Sequence, residues 1–125
     1  MSTIQTNTLT SLSGESVNVS AIAKALPTAW VNFDGADGTV KDSYNVSSVI
    51  RTAVGLYTVN FTTPADNTNY VVSISGDRIG AAASSTLAGY ASKTTTSCQI
   101  ETYNADNVNV DCLDVSVVVH GGKAW

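Results

Sequence analysis

The stretch Leu56-Tyr57-Thr58-Val59-Asn60-Phe61-Thr62-Thr63 constrains the fold more than any other part of the chain. Tyr57, Val59 and Phe61 alternate with Thr58, Asn60 and Thr62, and a period of two puts the apolar side chains on one face of a strand. The opposite face carries Thr and Asn rather than Lys or Glu. The same alternation returns in Tyr70, Val72 and Ile74, and again in Val115, Val117 and Val119. Ala29–Phe33 reads as a further strand, with Trp30 on one face and Val31 and Phe33 on the other. Residues 39–49 read as one extended region with Tyr44, Val46 and Val49 as core candidates, and residues 87–91 and 97–103 read as strands. Turn signals separate these runs: Asp34-Gly35-Ala36-Asp37-Gly38, residues 52–55, residues 64–69 and residues 104–109. Seven or eight short strands with frequent turns describe an all-β fold, an antiparallel β-sandwich.

Composition agrees. The 125 residues suit one domain. Only 13% are charged, about half the usual share of roughly 25%. Ser, Thr and Asn supply the polarity instead, and they are poor helix-interior residues because their side chains compete for nearby backbone groups. Net charge is −4, and the six basic residues are scattered, so nucleic-acid binding is not expected. No apolar run approaches the roughly 20 residues of a spanning helix, so membrane insertion is not expected either. The opening residues lack the basic segment and apolar block of a signal peptide, which suggests synthesis in the cytosol.

The first 26 residues differ from the rest. They are rich in Ser and Thr, contain no aromatic residue and show weak periodicity. Val17, Val19 and Ala21 alternate as a short strand, while residues 21–26 suit one helical turn before Pro27. The expected division is therefore residues 1–28 as an extended N-terminal arm for docking or oligomerisation and residues 29–125 as the sandwich. Cys98 and Cys112 are too few for a disulfide scaffold, and two buried thiols are the simpler reading. A hairpin pairing residues 97–103 with 107–112 about Ala105 would instead set Cys98 opposite Cys112 and Ile100 opposite Val110.

No catalytic constellation stands out. His120 is the only histidine, with Ser116 behind it on the same strand face, and an exposed or interface role is the plainer one. Asp34, Asp37, Asp42 and Asp66 all lie in turn-rich stretches where Asp serves backbone geometry. The Asp34–Asp37 turn offers oxygen ligands for calcium but lacks the ligand pattern of an EF-hand loop. Neither a metal nor a cofactor is expected, and the protein reads as a non-enzyme. Of the aromatic residues, Trp30, Phe33, Tyr44, Tyr57, Phe61 and Tyr70 sit at strand periodicity and belong mostly to the core. Interface or ligand candidates are then Tyr90, Tyr103, His120, Arg78 in the small-residue loop after Gly76, and Trp125, which follows Gly121-Gly122 and should pack against its own subunit or a neighbour.

Several segments taken in order resemble a known family. Ala29-Trp30-Val31-Asn32-Phe33-Asp34-Gly35 is similar to a segment common in tail-fibre and related virion proteins of tailed bacteriophages. Ser43-Tyr44-Asn45-Val46-Ser47-Ser48-Val49, then Gly55 to Thr62, Asn69-Tyr70-Val71-Val72 and Val115 to Val119 followed by Gly121 continue the likeness, which covers most of the chain. The loop from Thr63 to Thr68 departs from the usual wording, and His120 stands where the pattern has an aromatic or aliphatic residue. The resemblance implies a non-enzymatic β-domain on the virion exterior, commonly a homotrimer. Its partners would be copies of itself, another virion protein of the tail or the major capsid protein, and a host cell-surface glycan. The chain is short beside a shafted fibre. Three readings follow: a tail-fibre-like module for assembly or host attachment, a trimeric capsid decoration protein laced down by its arm, or a free lectin-like binding protein.

Overall fold

A computed structural model describes residues 5–77 and 87–124. The elements are β1 (Thr8–Thr10), β2 (Ser16–Asn18), α1 (Val19–Ala25), β3 (Ala29–Phe33), β4 (Val40–Tyr44), β5 (Val46–Ala53), β6 (Leu56–Phe61), β7 (Tyr70–Gly76), β8 (Leu87–Lys93), β9 (Ser97–Tyr103) and β10 (Val115–Gly121). Eight strands form two antiparallel four-stranded sheets, ordered β4-β3-β10-β7 and β5-β6-β9-β8. The expected β-sandwich is what the chain builds.

The alternation sets which face turns inward. Val115, Val117 and Val119 on central β10 face Phe33, Val31 and Ala29 on one side, and Val117 and Val119 face Ile74 and Val72 on the other. Tyr57, Val59, Cys98, Ile100 and Thr102 of the second sheet close the core from the opposite side. Two edge-on aromatic pairs join the sheets: Phe33 with Tyr57, centroids 5.0 Å apart, and Phe61 with Tyr70, 5.8 Å apart. Each buried Val or Tyr contributes about 1.5–3 kcal/mol relative to exposure, so these inward faces dominate stability.

The extended region expected over residues 39–49 is in fact two strands in different sheets. The break is Asn45, whose φ of 54° swings the chain from β4 into β5. Asn tolerates that left-handed backbone because its side chain bonds locally. Here Nδ2 donates to Thr28 O (3.0 Å) and Thr63 O (3.1 Å), while Oδ1 accepts from Thr63 N (2.7 Å). Tyr44, just before the corner, therefore points outward and is 55% exposed, which corrects its place among the core residues. Val46 and Val49 do pack against the core. Asn45→Ala should cost about 2 kcal/mol, since it loses three hydrogen bonds and keeps a strained φ. Urea unfolding would measure it, and a loss under about 0.5 kcal/mol would discard the corner's role.

The two thiols are not opposite one another. β9 pairs with β6 and β8, so Cys98 faces Val59 and Lys93. The expected hairpin with residues 107–112 begins only at Tyr103 and Asn109, with Thr102 and Val110 adding two bonds, and goes no further. Both cysteines are buried, and no disulfide joins them.

The arm holds both a strand and a helix, but Val19 and Ala21, expected in the strand, lie in the helix, which starts two residues earlier than expected. β1 and β2 form a small hairpin, and α1 follows because Asn18 Oδ1 caps it, accepting from Ser20 N at 2.8 Å. Pro27 lacks an amide proton and prevents the helix from continuing. Every residue from 5 to 18 is exposed, and α1 buries no residue fully.

Candidate interaction surface

The outer face of the first sheet is built from the residues that alternate with its core. Tyr44 lies opposite Trp30, Trp30 opposite Val118, and Val118 opposite Ser73, so three apolar side chains form a row across β4, β3 and β10. The next row is polar: Asp42, Asn32, Ser116 and Ser75. Leu26 and Pro27, delivered by the end of α1, wall one side of the apolar row and leave an open cleft of about 370 Å³ against Trp30 and Tyr44. A smaller hollow of about 210 Å³ continues it past Thr28 and Tyr44 to Gly121 and Lys123. The outward phase of Trp30 relative to Val31 and Phe33 was the signal for this surface, and assigning aromatic residues to the core concealed it.

The described ones among the expected site residues, His120, Tyr90 and Tyr103, are not brought together. His120 sits on the outer face of the first sheet, opposite Val71. Tyr90 lies on edge strand β8 of the second sheet, half exposed, with the Lys93 ammonium 5.0 Å from its ring centroid. The same ammonium stands 5.2 Å from the Tyr70 ring and donates to Tyr70 O at 2.9 Å. Tyr90 therefore helps to hold a cation at the open edge between β7 and β8, a structural use of its face. Tyr103 is half-buried on β9, opposite Leu87. Arg78 and Trp125 lie outside the described residues.

Other polar groups are committed to the fold. Asp34 Oδ1 accepts from Ala36 N and Asp37 Oδ1 from Thr39 N, each at 2.8 Å, so both carboxylates hold their own turn. Among the described residues no three His, Cys, Asp or Glu side chains gather as a metal would need. At one end of the sandwich Asp111 takes both an Arg51 fork and the Tyr57 hydroxyl. Burial pushes the Tyr57 phenol up to about 12, so it acts there only as a neutral donor. At the other end burial likewise pushes Tyr70 up to about 12, and its hydroxyl donates to Thr94 O or Ser97 O. No helix among the described residues is long and apolar enough to cross a membrane.

What this arrangement offers chemically is contact area: an apolar row rimmed mostly by uncharged polar groups, with Asp42 and Lys123 at its margins, beside an exposed arm. No protein-family model, no curated protein and no solved structure matches the chain.

Proposed function

We propose that the chain is a non-enzymatic structural module on the exterior of a tailed bacteriophage virion, a homotrimeric tail-fibre-like domain used in assembly or host attachment. The observation that carries this reading is the apolar row of Tyr44, Trp30 and Val118 on an otherwise low-charge sheet face. Such a row, depleted of charge and centred on aromatic side chains, has the make-up of the buried centre of a protein interface. The likeness to fibre proteins supports the same reading, because its segments coincide with β3, the Asn45 corner, β6, the start of β7 and β10. A second reading, a trimeric capsid decoration protein, is favoured by the exposed arm of residues 5–18, which has the form of a lacing segment.

Mass in solution tests the assembly. A trimer would sediment at three times the 12.9 kDa chain mass. Trp30→Ser and Tyr44→Ser should leave unfolding within about 1 kcal/mol of the parent, being outside the core, yet weaken association measured by ultracentrifugation. A chain that stays monomeric at high concentration would end the trimer reading. Labelling on intact particles by electron microscopy locates the protein: some tens of copies mean tail, hundreds mean capsid decoration. Glycan binding by an isolated monomer would favour the lectin-like alternative, and release of product from a surface polysaccharide would defeat the non-enzymatic one.

A further inference from the structure

The arm and the sheet face carry matching surfaces that one chain leaves unmatched. On the hairpin, Leu9 lies directly opposite Val17, and both are nearly half exposed. Glu15, two residues before Val17, lines the same open hollow of about 450 Å³. The reverse side is polar, where Thr10 Oγ1 and Ser16 Oγ bond at 2.8 Å. A two-stranded hairpin with three residues per strand is marginal in water without a surface to cover it. Its own sandwich does not provide that cover, since residues 5–18 are all exposed and α1 and Pro27 stand between hairpin and body. The cleft beside Trp30 and Tyr44 is likewise open, and Lys123 lines its continuation. Among the described residues neither the Glu15 carboxylate nor the Lys123 ammonium has an ion-pair or hydrogen-bond partner. The unpaired charge at each surface is thus opposite to the unpaired charge at the other.

We propose that the subunits exchange arms: the β1–β2 hairpin of one copy seats Leu9 and Val17 in the Leu26–Trp30–Tyr44 cleft of the next copy, with Glu15 against that copy's Lys123. This deepens the trimer reading and rests on it. The contact is head-to-tail, each copy giving an arm and receiving one, and such a contact closes into a ring when the rotation between copies is one third of a turn. Apolar side chains meet apolar side chains at its centre, and the ion pair at its rim sets register.

The test uses the full-length chain. Glu15→Lys and Lys123→Glu should each raise the concentration at which the trimer half dissociates by about tenfold or more, and the double reversal should recover most of that loss. Circular dichroism confirms that each variant folds, as expected for positions outside the core. Independently, Leu9→Cys combined with Tyr44→Cys should give covalent dimers and trimers on oxidation. The native thiols are buried and leave little background. A trimer whose association ignores both reversals and yields no interchain link would overturn arm exchange while leaving the trimer reading standing. A link confined to single chains would mean that the hairpin folds back on its own face, which also overturns it. A wild-type chain that is monomeric throughout would remove both. Unchanged trimers that lose attachment to particles would assign the arm to another virion protein instead, again against the proposal.

Discussion

Gly55→Ala should remove most of the domain's stability, about 4 kcal/mol or more, where domains of this size hold roughly 5–15 kcal/mol in total. Gly55 turns β5 into β6 with φ of +64°, a conformation that a side chain disfavours. A Cβ there would run into the Thr102 carbonyl oxygen and come within 2.7 Å of Val110 O and 2.8 Å of Val110 N. Those atoms cannot yield easily. Thr102 N donates to Gly55 O at 2.8 Å, Val110 N to Thr102 O at 3.0 Å, and the Thr102 hydroxyl to Val110 O at 2.6 Å. Relief would have to come from breaking that knot or opening the sandwich end. Gly14→Ala is the control. Its φ is +87°, but nothing lies within 4 Å of the added methyl, so only the left-handed penalty of about 1–2 kcal/mol applies, and in an exposed hairpin. Chemical denaturation followed by circular dichroism compares the two. If Gly55→Ala unfolds within about 1 kcal/mol of the parent, the turn is not clamped as the structure has it.

The contrast between these glycines bears on what the sequence reveals. Inward faces are legible because alternation is local: Tyr57, Val59 and Phe61, or Val115, Val117 and Val119, declare themselves within five residues, and all six are buried. The turns at Asp34–Gly38 and residues 64–69 are legible because Gly, Asp and Pro mark them. Where the chain changes sheet at Asn45 no Gly or Pro interrupts the β-rich pattern, so two strands read as one and Tyr44 reads as a core residue. The partners that hold Asn45, Thr28 and Thr63, lie 17 and 18 residues away, and nothing local points to them. The same holds for pairing. Cys98 and Cys112 can be aligned on paper, but β9 is claimed on both sides by β6 and β8, a competition that only the whole fold decides.

The interaction surface was half legible. Trp30 had to point away from Val31 and Phe33, so its outward place followed from the alternation; Tyr44 and Leu26 reach it through the corner and the helix end, which no period encodes. Tyr90 and Tyr103 read as exposed aromatic residues; Tyr90 is exposed, with Lys93 over its ring, and Tyr103 is half-buried. A platform needs neighbours on one face, and residues far apart in sequence share a face only by register.

The Arg51–Asp111 pair gives the second large effect, with a pH signature. The two residues are 60 apart in sequence, and the Arg51 fork meets Asp111 at 3.1 Å through Nε and 2.8 Å through Nη2. Asp111 Oδ1 also accepts from Gly55 N at 2.8 Å and from the Tyr57 hydroxyl at 3.1 Å. Partial burial pushes the Asp111 carboxyl up, but the Arg51, Gly55 and Tyr57 donors outweigh it and hold the group below its ordinary 3.8. Removing the acceptor by Asp111→Ala leaves the Gly55 amide and the Arg51 guanidinium short of a partner, while the Tyr57 hydroxyl keeps Gly35 O at 2.9 Å, and should cost about 3 kcal/mol. The folded state releases this proton more readily than the unfolded chain does, so ionised Asp111 stabilises fully at pH values well above 3.8 and that stability is lost as pH falls through the lower folded value. Asp111→Asn keeps the shape and removes the charge. Its stability deficit should therefore be largest near neutral pH and shrink steadily once the pH drops below about 4, as the parent's own carboxyl becomes protonated. Denaturant midpoints for parent and variant at stepped pH values supply the measurement. A gap that stays constant down to pH 3 would show that shape, not ionisation, is what Asp111 contributes at this end of the sandwich.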